Sequence, residues 1–280
     1  MSGQAFIEDE GDKGPGREPS GIPGRSHVTY CVGMMLDKGL VLMSDTRTNS
    51  GVDNISVFRK MFHWSVPGER SVAIMSAGNL GTTQAVISLI EERTKHPDDR
   101  EPSLLKAPTM FRVASMIGEL LRDVIAKQQK QNPDKSGKPR FTASLIVAGQ
   151  IEGMEPRLFM IYPEGNFIEA SADTPFFQIG ETKYGRPIII RGYDSQMSFE
   201  DGVKLLMVSM DSTLAANLSV GMPLDVLVLE KDNFEPLHER RIMASDPYFQ
   251  AISSGWGQAL KQAFHSLPDY SFYQDDNDDE

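Results

Sequence analysis

A single cysteine, Cys31, is all the thiol chemistry this sequence holds. One chain can therefore build neither a disulfide nor a cysteine-based metal cluster, and a reducing compartment is the simpler setting. No apolar run approaches the roughly 20 residues a membrane helix requires, and the first 28 residues lack the apolar centre of a secretory signal. The cytoplasm is the expected location, with no membrane partner. Basic charge is also in short supply: 28 Lys and Arg stand against 39 Asp and Glu, for a net charge of −11. A nucleic-acid footprint needs a basic patch, and none is apparent, so nucleic acid is not an expected partner. The five histidines, His27, His63, His96, His238 and His265, show no metal-ligand spacing. No phosphate loop of the Gly-x-x-x-x-Gly-Lys-Ser/Thr type occurs, since Gly137-Lys138 follows Asn132 at the required spacing and precedes Pro139. No metal, nucleotide or other cofactor is expected.

What the sequence does hold is enough apolar residue, 40% of 280, for one large α/β domain or two small ones. Residues 1–28 are rich in Gly, Pro, Glu and Asp and cannot bury enough surface to offset chain entropy, which predicts a disordered extension. The last segment, 267–280, closes on the like-charged run Asp275–Glu280 and reads as a solvated acidic tail. Between them, Thr29–Leu36 and Leu40–Ser44 flank a Gly-containing turn, as a hairpin does. Two more strands are expected at Ile55–Phe62 and Ser71–Ala77. A helix should follow the Gly78–Gly81 turn and end at Glu91–Arg93. In the next one, Val113, Ile117, Leu120, Leu121 and Val124 make one stripe, and Asn132-Pro133 ends it.

Strands are then expected at Thr142–Ala148, Arg157–Tyr162 and Phe167–Ala170, a helix at Phe199–Asn217, and a strand at Leu224–Leu229. The last helix should start at Asp246 as N-cap with Pro247 in its first turn, and Phe249, Ile252, Trp256 and Leu260 form its stripe. This order lacks regular strand–helix alternation. It predicts an α+β domain of two antiparallel sheets packed together and covered by helices.

An N-terminal nucleophile needs a hydroxyl, a free α-amino group to take its proton, a nearby buried cation and donors for an oxyanion. Thr29 supplies a hydroxyl at the start of the first strand. Lys60 stands in the strand Ile55–Phe62, where a charge is costly to bury alone. Asp45, at the end of the second strand, can pair with it, and Gly78 opens the turn into the first helix. Singly, each of these residues is ordinary; their joint order carries the signal. Cys31, inside an apolar run, reads as a small buried hydrophobe.

The strand-initial Thr29, the segment Asp45-Thr-Arg47-Thr48, Lys60 and the turn Ser76-Ala77-Gly78-Asn79-Leu80-Gly81 together resemble the proteasome β subunits and the bacterial HslV peptidase. Asp45–Ser56, Gly180–Ile188 and Asp211–Gly221 resemble the bacterial Anbu group of that superfamily. The resemblance implies a four-layer αββα sandwich, the N-terminal nucleophile hydrolase fold, with a peptidase domain over 29–266. It implies a homo-oligomeric ring or ring-like assembly acting on peptides, with an ATPase or other partner left unidentified. Thr29 would be the nucleophile, Lys60 would lower its pKa electrostatically, Asp45 would hold Lys60, and the Gly78 N–H would serve the oxyanion. Arg47 would support the Asp45 side. Substrate would lie extended between Thr48-Asn49-Ser50 and Gly78–Leu80, with Ser76 and Leu80 shaping the pocket before the cut.

The chain departs from the β-subunit pattern at Gly180-Glu181 and at Asn217-Leu-Ser219-Val-Gly221. Glu181, Asn217 and Ser219 are therefore the candidates for the supporting set around the threonine amine. The same chemistry requires that nothing remain bonded to the Thr29 nitrogen. Self-cleavage is one route. Another is translation starting at position 28, since Val is encoded by GTG, followed by removal of the initiating Met. A non-peptidase amidase and a catalytically silent scaffold are the competing functions.

Overall fold

In a computed structural model the described residues are 29–49, 55–95, 103–133 and 140–272. The extension 1–28, the Asp275–Glu280 run and Ser50 lie outside them, and so does the side chain of Asn49.

Two five-stranded antiparallel sheets form the centre. The first has the order β10 (Phe176–Gly180), β1 (Tyr30–Leu36), β2 (Gly39–Asp45), β11 (Leu224–Glu230), β12 (His238–Ile242). The second runs β5 (Met61–Val66), β6 (Arg70–Gly78), β7 (Ala143–Ile151), β8 (Arg157–Ile161), β9 (Phe167–Glu169). A short ribbon pairs β3 (Arg47–Asn49) with β4 (Ile55–Val57).

The period-two alternation of strands explains how one sequence fills three cores. On β1, Tyr30, Val32, Met34 and Leu36 face α3 (Arg186–Gly192), α4 (Phe199–Ala216) and α5 (Pro247–His265), while Cys31 turns to the opposite face. On β6, Val72 and Ile74 face α1 (Leu80–Lys95) and α2 (Met110–Gln131), while Ala73, Met75 and Ala77 turn inward. Leu40, Leu42, Leu227 and Ile179 of the first sheet meet Met75, Ile146 and Leu158 of the second in the middle layer. Both faces of each sheet are covered, which is why these strands read as continuous apolar runs. The layers are therefore helix, sheet, sheet, helix. Cys31 is fully buried in the middle layer, as its apolar setting predicted.

Local signals set the helix starts. Thr109 caps α2 by accepting from Arg112 N–H, Ser198 caps α4 through Asp201 N–H, and Asp246 caps α5 through Tyr248 and Phe249 N–H. Glu200 and Asp201 place negative charge on the first turn of α4, where the helix dipole favours it.

Three expectations need correction. The run expected as one strand at Ile55–Phe62 is split between β4 and β5, and Lys60 lies in the gap, its side chain turned into the interior. Strand β10, helix α3 and strand β12 were not foreseen. The first is five residues long, the second buries only Ile189, and the third, His238-Glu-Arg-Arg-Ile, is an edge strand exposed at all but its last residue. The α5 stripe is buried only at Phe249; Leu260 is 50% exposed. Among the described residues no helix is long and apolar enough to cross a membrane.

Candidate active site

Thr29 precedes β1 and is gripped from the β10 side. Its carbonyl accepts the Glu181 N–H at 2.6 Å. Gly180 lies directly against that carbonyl, with a φ of +84°; a Cβ there would fall 1.9 Å from the Thr29 oxygen, so only glycine fits. The next residue, Tyr30, sends its N–H to Asp45 Oδ1 at 3.1 Å. Its hydroxyl is fixed by Ser209 Oγ at 2.7 Å and by Gln178 Nε2 at 2.6 Å. Burial pushes that phenol up to about 12, so it stays neutral.

Asp45 closes β2, fully buried, and organises the floor of the site. Oδ1 accepts Lys60 Nζ at 2.7 Å as well as the Tyr30 N–H, and Oδ2 accepts the Gly221 N–H at 3.3 Å. Burial pushes this carboxyl up from its ordinary value, while the Lys60 ammonium and the two backbone N–H groups act against that push. Lys60 donates a second bond to the Arg47 carbonyl at 2.6 Å. A buried charge pair is tolerated when both members are paired and hydrogen-bonded, and this one is.

Arg47 turns its head toward the turn after α4: Nη1 donates to the Leu218 carbonyl at 3.1 Å, and Nε is packed under Gly221. A Cβ on Gly221 would lie 2.1 Å from that Nε. Thr46 Oγ1 ties the end of β2 to the same turn through the Pro223 carbonyl at 2.7 Å.

Above this floor, Thr29, Arg47, Thr48, Lys60, Ser76, Gly78 and Leu80 line one cavity. Seven of the residues singled out by sequence thus converge, and Asp45 backs them from below. Gly78 ends β6 with a φ of +121°, its Cα pressed on the β7 side so that a Cβ would meet the Thr142 carbonyl at 2.5 Å. Asn79 then accepts from Thr82 N–H through Oδ1, which starts α1 beside the cavity.

Glu181 lines a separate cavity of about 400 Å³ on the other side of Gly78, with Lys183 and Ser144. Its Oε2 accepts Asn217 Nδ2 at 2.9 Å, so these two predicted residues are brought together across the fold. Ser219 contributes its N–H to Asn217 Oδ1 at 3.0 Å, and its hydroxyl has no hydrogen-bond partner among the described residues. The sequence did not single out Arg59, Phe62, Ala77, Thr83, Gln84 and Ile87 as site residues, and these complete the main cavity. Arg59 and Phe62 adjoin Lys60 and Met61, so their place became visible only once Lys60 was found off the strand. Among the described residues no cluster of His, Cys, Asp or Glu could hold a metal ion.

The proteasome subunit family model matches residues 26–229, which takes in the whole of this floor. The chain belongs to the proteasome family. Proteasome subunit beta of Methanocaldococcus jannaschii is 24% identical over 216 residues, covering 76% of this chain and 87% of that one. Among solved structures of the family, Anbu from Yersinia bercovieri is 45% identical with a TM-score of 0.80, covering 87% of this chain and all of that one. Anbu from Pseudomonas aeruginosa, solved as a helical assembly, is 42% identical with a TM-score of 0.80, covering 87% of this chain and 99% of that one. The proteasome-type sandwich and the likeness to the Anbu group, both implied by the sequence motifs, are thereby borne out.

Proposed function

We propose that this proteasome-family chain is a threonine peptidase that becomes competent when the Thr29 amino group is free. The carrying observation is the convergence of Thr29 with the Lys60–Asp45 pair and Gly78 around one cavity. Thr29 Oγ attacks the substrate carbonyl, forming a C–O bond, and its hydroxyl proton passes to the Thr29 α-amine. The Lys60 ammonium lies in the same cavity and favours the developing negative charge, while Asp45 fixes Lys60. The Gly78 N–H serves the oxyanion. Collapse breaks the C–N bond, with the proton leaving on the departing amine, and water then hydrolyses the ester on Thr29.

Arg47 holds the turn after α4 against the Asp45 side. The Glu181–Asn217 pair, anchored to Thr29 through the Glu181 N–H, supports the amine side, and Ser219 orients Asn217. Substrate extends past Thr48 and Asn49 on one side and Gly78 to Leu80 on the other, with Ser76 and Leu80 bounding the pocket. The chain works as an assembly of copies. Leu260, Phe264 and Leu267 are exposed on and just beyond α5, and a groove of about 750 Å³ between α3, α4 and α5 is lined by Trp256 and Leu260. Such an apolar face suits packing against another copy, and the helical assembly of the Pseudomonas Anbu relative supports this. The single buried cysteine fits work in the cytoplasm.

A threonine-directed covalent electrophile tests the catalytic reading. The protein with a free Thr29 amine should be labelled once per chain, and Thr29→Ala should not be labelled. Absence of labelling on a chain whose intact mass shows Thr29 at its N-terminus would favour a silent scaffold. Labelling with turnover of small amides but not of peptides would favour an amidase.

A further inference from the structure

The charges around the main cavity are one-sided. Three basic side chains, Arg47, Arg59 and Lys60, line it, and among the described residues no acidic side chain does, in a chain whose net charge is −11. Two of the three are already committed. Lys60 is matched by Asp45 at 2.7 Å, and the Arg47 head is turned to the Leu218 carbonyl and packed under Gly221. Arg59 differs: it is exposed and has no hydrogen-bond or ion-pair partner among the described residues.

Arg59 also lines a second cavity, of about 240 Å³, beside the first. There Arg240 is paired with Asp246 and Arg241 is held by both oxygens of Asp225, so neither acid is free for Arg59. Glu239, which lines the same space, makes no ion pair with it. The rest of the lining of the main cavity is mixed, with Phe62, Leu80 and Ile87 apolar and Thr48, Ser76, Thr83 and Gln84 polar, and its space is about 30 Å³. That is a small space, which suits a short side chain better than an aromatic ring.

We infer that this cavity selects a short acidic side chain, Asp or Glu, on the substrate residue that supplies the scissile carbonyl, with Arg59 as its counter-ion. The inference rests on the peptidase reading for the position of that residue. A guanidinium with no partner among the described residues presents a planar fork that matches a carboxylate. A lysine or arginine side chain would meet the like charge of Arg59 instead.

Binding tests the pocket separately from the chemistry. In purified, assembled Thr29→Ala protein, acetylated tripeptide amides differing only in the last residue (Asp, Asn, Leu, Lys) are titrated by calorimetry or NMR. The Asp peptide should bind about tenfold more tightly than the Asn peptide, as a charge-assisted hydrogen bond supports. That preference should shrink in about 0.5 M salt. It should fall to about twofold or less in Arg59→Gln, and Lys should become favoured over Asp in Arg59→Glu. Arg59 is exposed, so unchanged melting of both variants is expected and checks that the fold is intact. Equal binding of Asp and Asn, a preference for Leu, or an Asp preference that survives Arg59→Gln overturns the inference.

The matched peptide substrates are then tried on protein with Thr29 intact. An Asp preference in binding without turnover or labelling would sink the peptidase reading and leave the pocket assignment standing. Turnover without acidic preference would do the reverse.

Discussion

The two helical layers of this molecule are built to different standards of closure. On the α1/α2 side, Val113, Ile117, Leu121 and Val124 are buried against Ile74, Val147 and Phe159, and the helix stripe is spent entirely within the chain. On the α5 side, the stripe begins the same way at Phe249 but runs out into solvent at Leu260 and Phe264. The Asp45 floor shares the completeness of the first layer with opposite chemistry: a buried carboxylate and a buried ammonium, each met by partners. The lesson is that hydrophobic periodicity reports a face to be covered and does not say by which chain.

The comparison breaks most severely at the floor. Lys60→Met leaves Asp45 buried without its cation and should cost roughly 3–5 kcal/mol in urea unfolding at fixed protein concentration. Adding Asp45→Leu should recover part of that loss, and no recovery would mean the pair matters for packing alone. Next comes the closed layer, where Leu121→Ala is expected to cost roughly 2–5 kcal/mol, read from the same unfolding curves. The open layer should answer differently. Leu260→Ser is expected to change unfolding of the separated subunit by less than about 0.5 kcal/mol while shifting the sedimentation profile toward smaller species. An equal loss of subunit stability would place α5 in the closed class.

The smallest effect concerns His63, whose ring nitrogen lies 2.8 Å from Ser71 Oγ in partial burial. Burial lowers its pKa from the ordinary 6.5, with Glu239 opposing. The folded state thus binds fewer protons than the unfolded one just below that value, so stability should decline as pH falls through that window. His63→Gln should flatten this part of the stability–pH curve, and an unchanged curve would remove His63 from the account.

Much of this was legible in the sequence for a physical reason. Sheets covered on both faces write themselves as continuous apolar runs, so β1, β2, β6 and β7 could be read directly, and a capping residue, Asp246, announced α5. Thr29, Asp45, Lys60 and Gly78 were legible as types in an order. What escaped depended on long-range packing. The exposed edge strand β12 carries charges rather than an apolar pattern, and α3 is too short to show a period. Lys60 was misplaced onto a strand because the apolar residues around it belong to two strands with a break between them. The Tyr30 and Gly221 N–H donors to Asp45 are backbone groups, invisible to any reading by residue type. Arg59 had no motif to mark it.

The grip on Thr29 described above acts on its carbonyl side. Gly180 and the Glu181 N–H press on its carbonyl, and the Tyr30 N–H is moored to Asp45. Every one of these ties lies downstream of the Val28–Thr29 bond. A threonine moored in this way behaves like a plank fixed at one end: sawing through the other end leaves it where it was. Cutting that bond changes the chemistry of the nitrogen, from amide to amine, and breaks none of these ties.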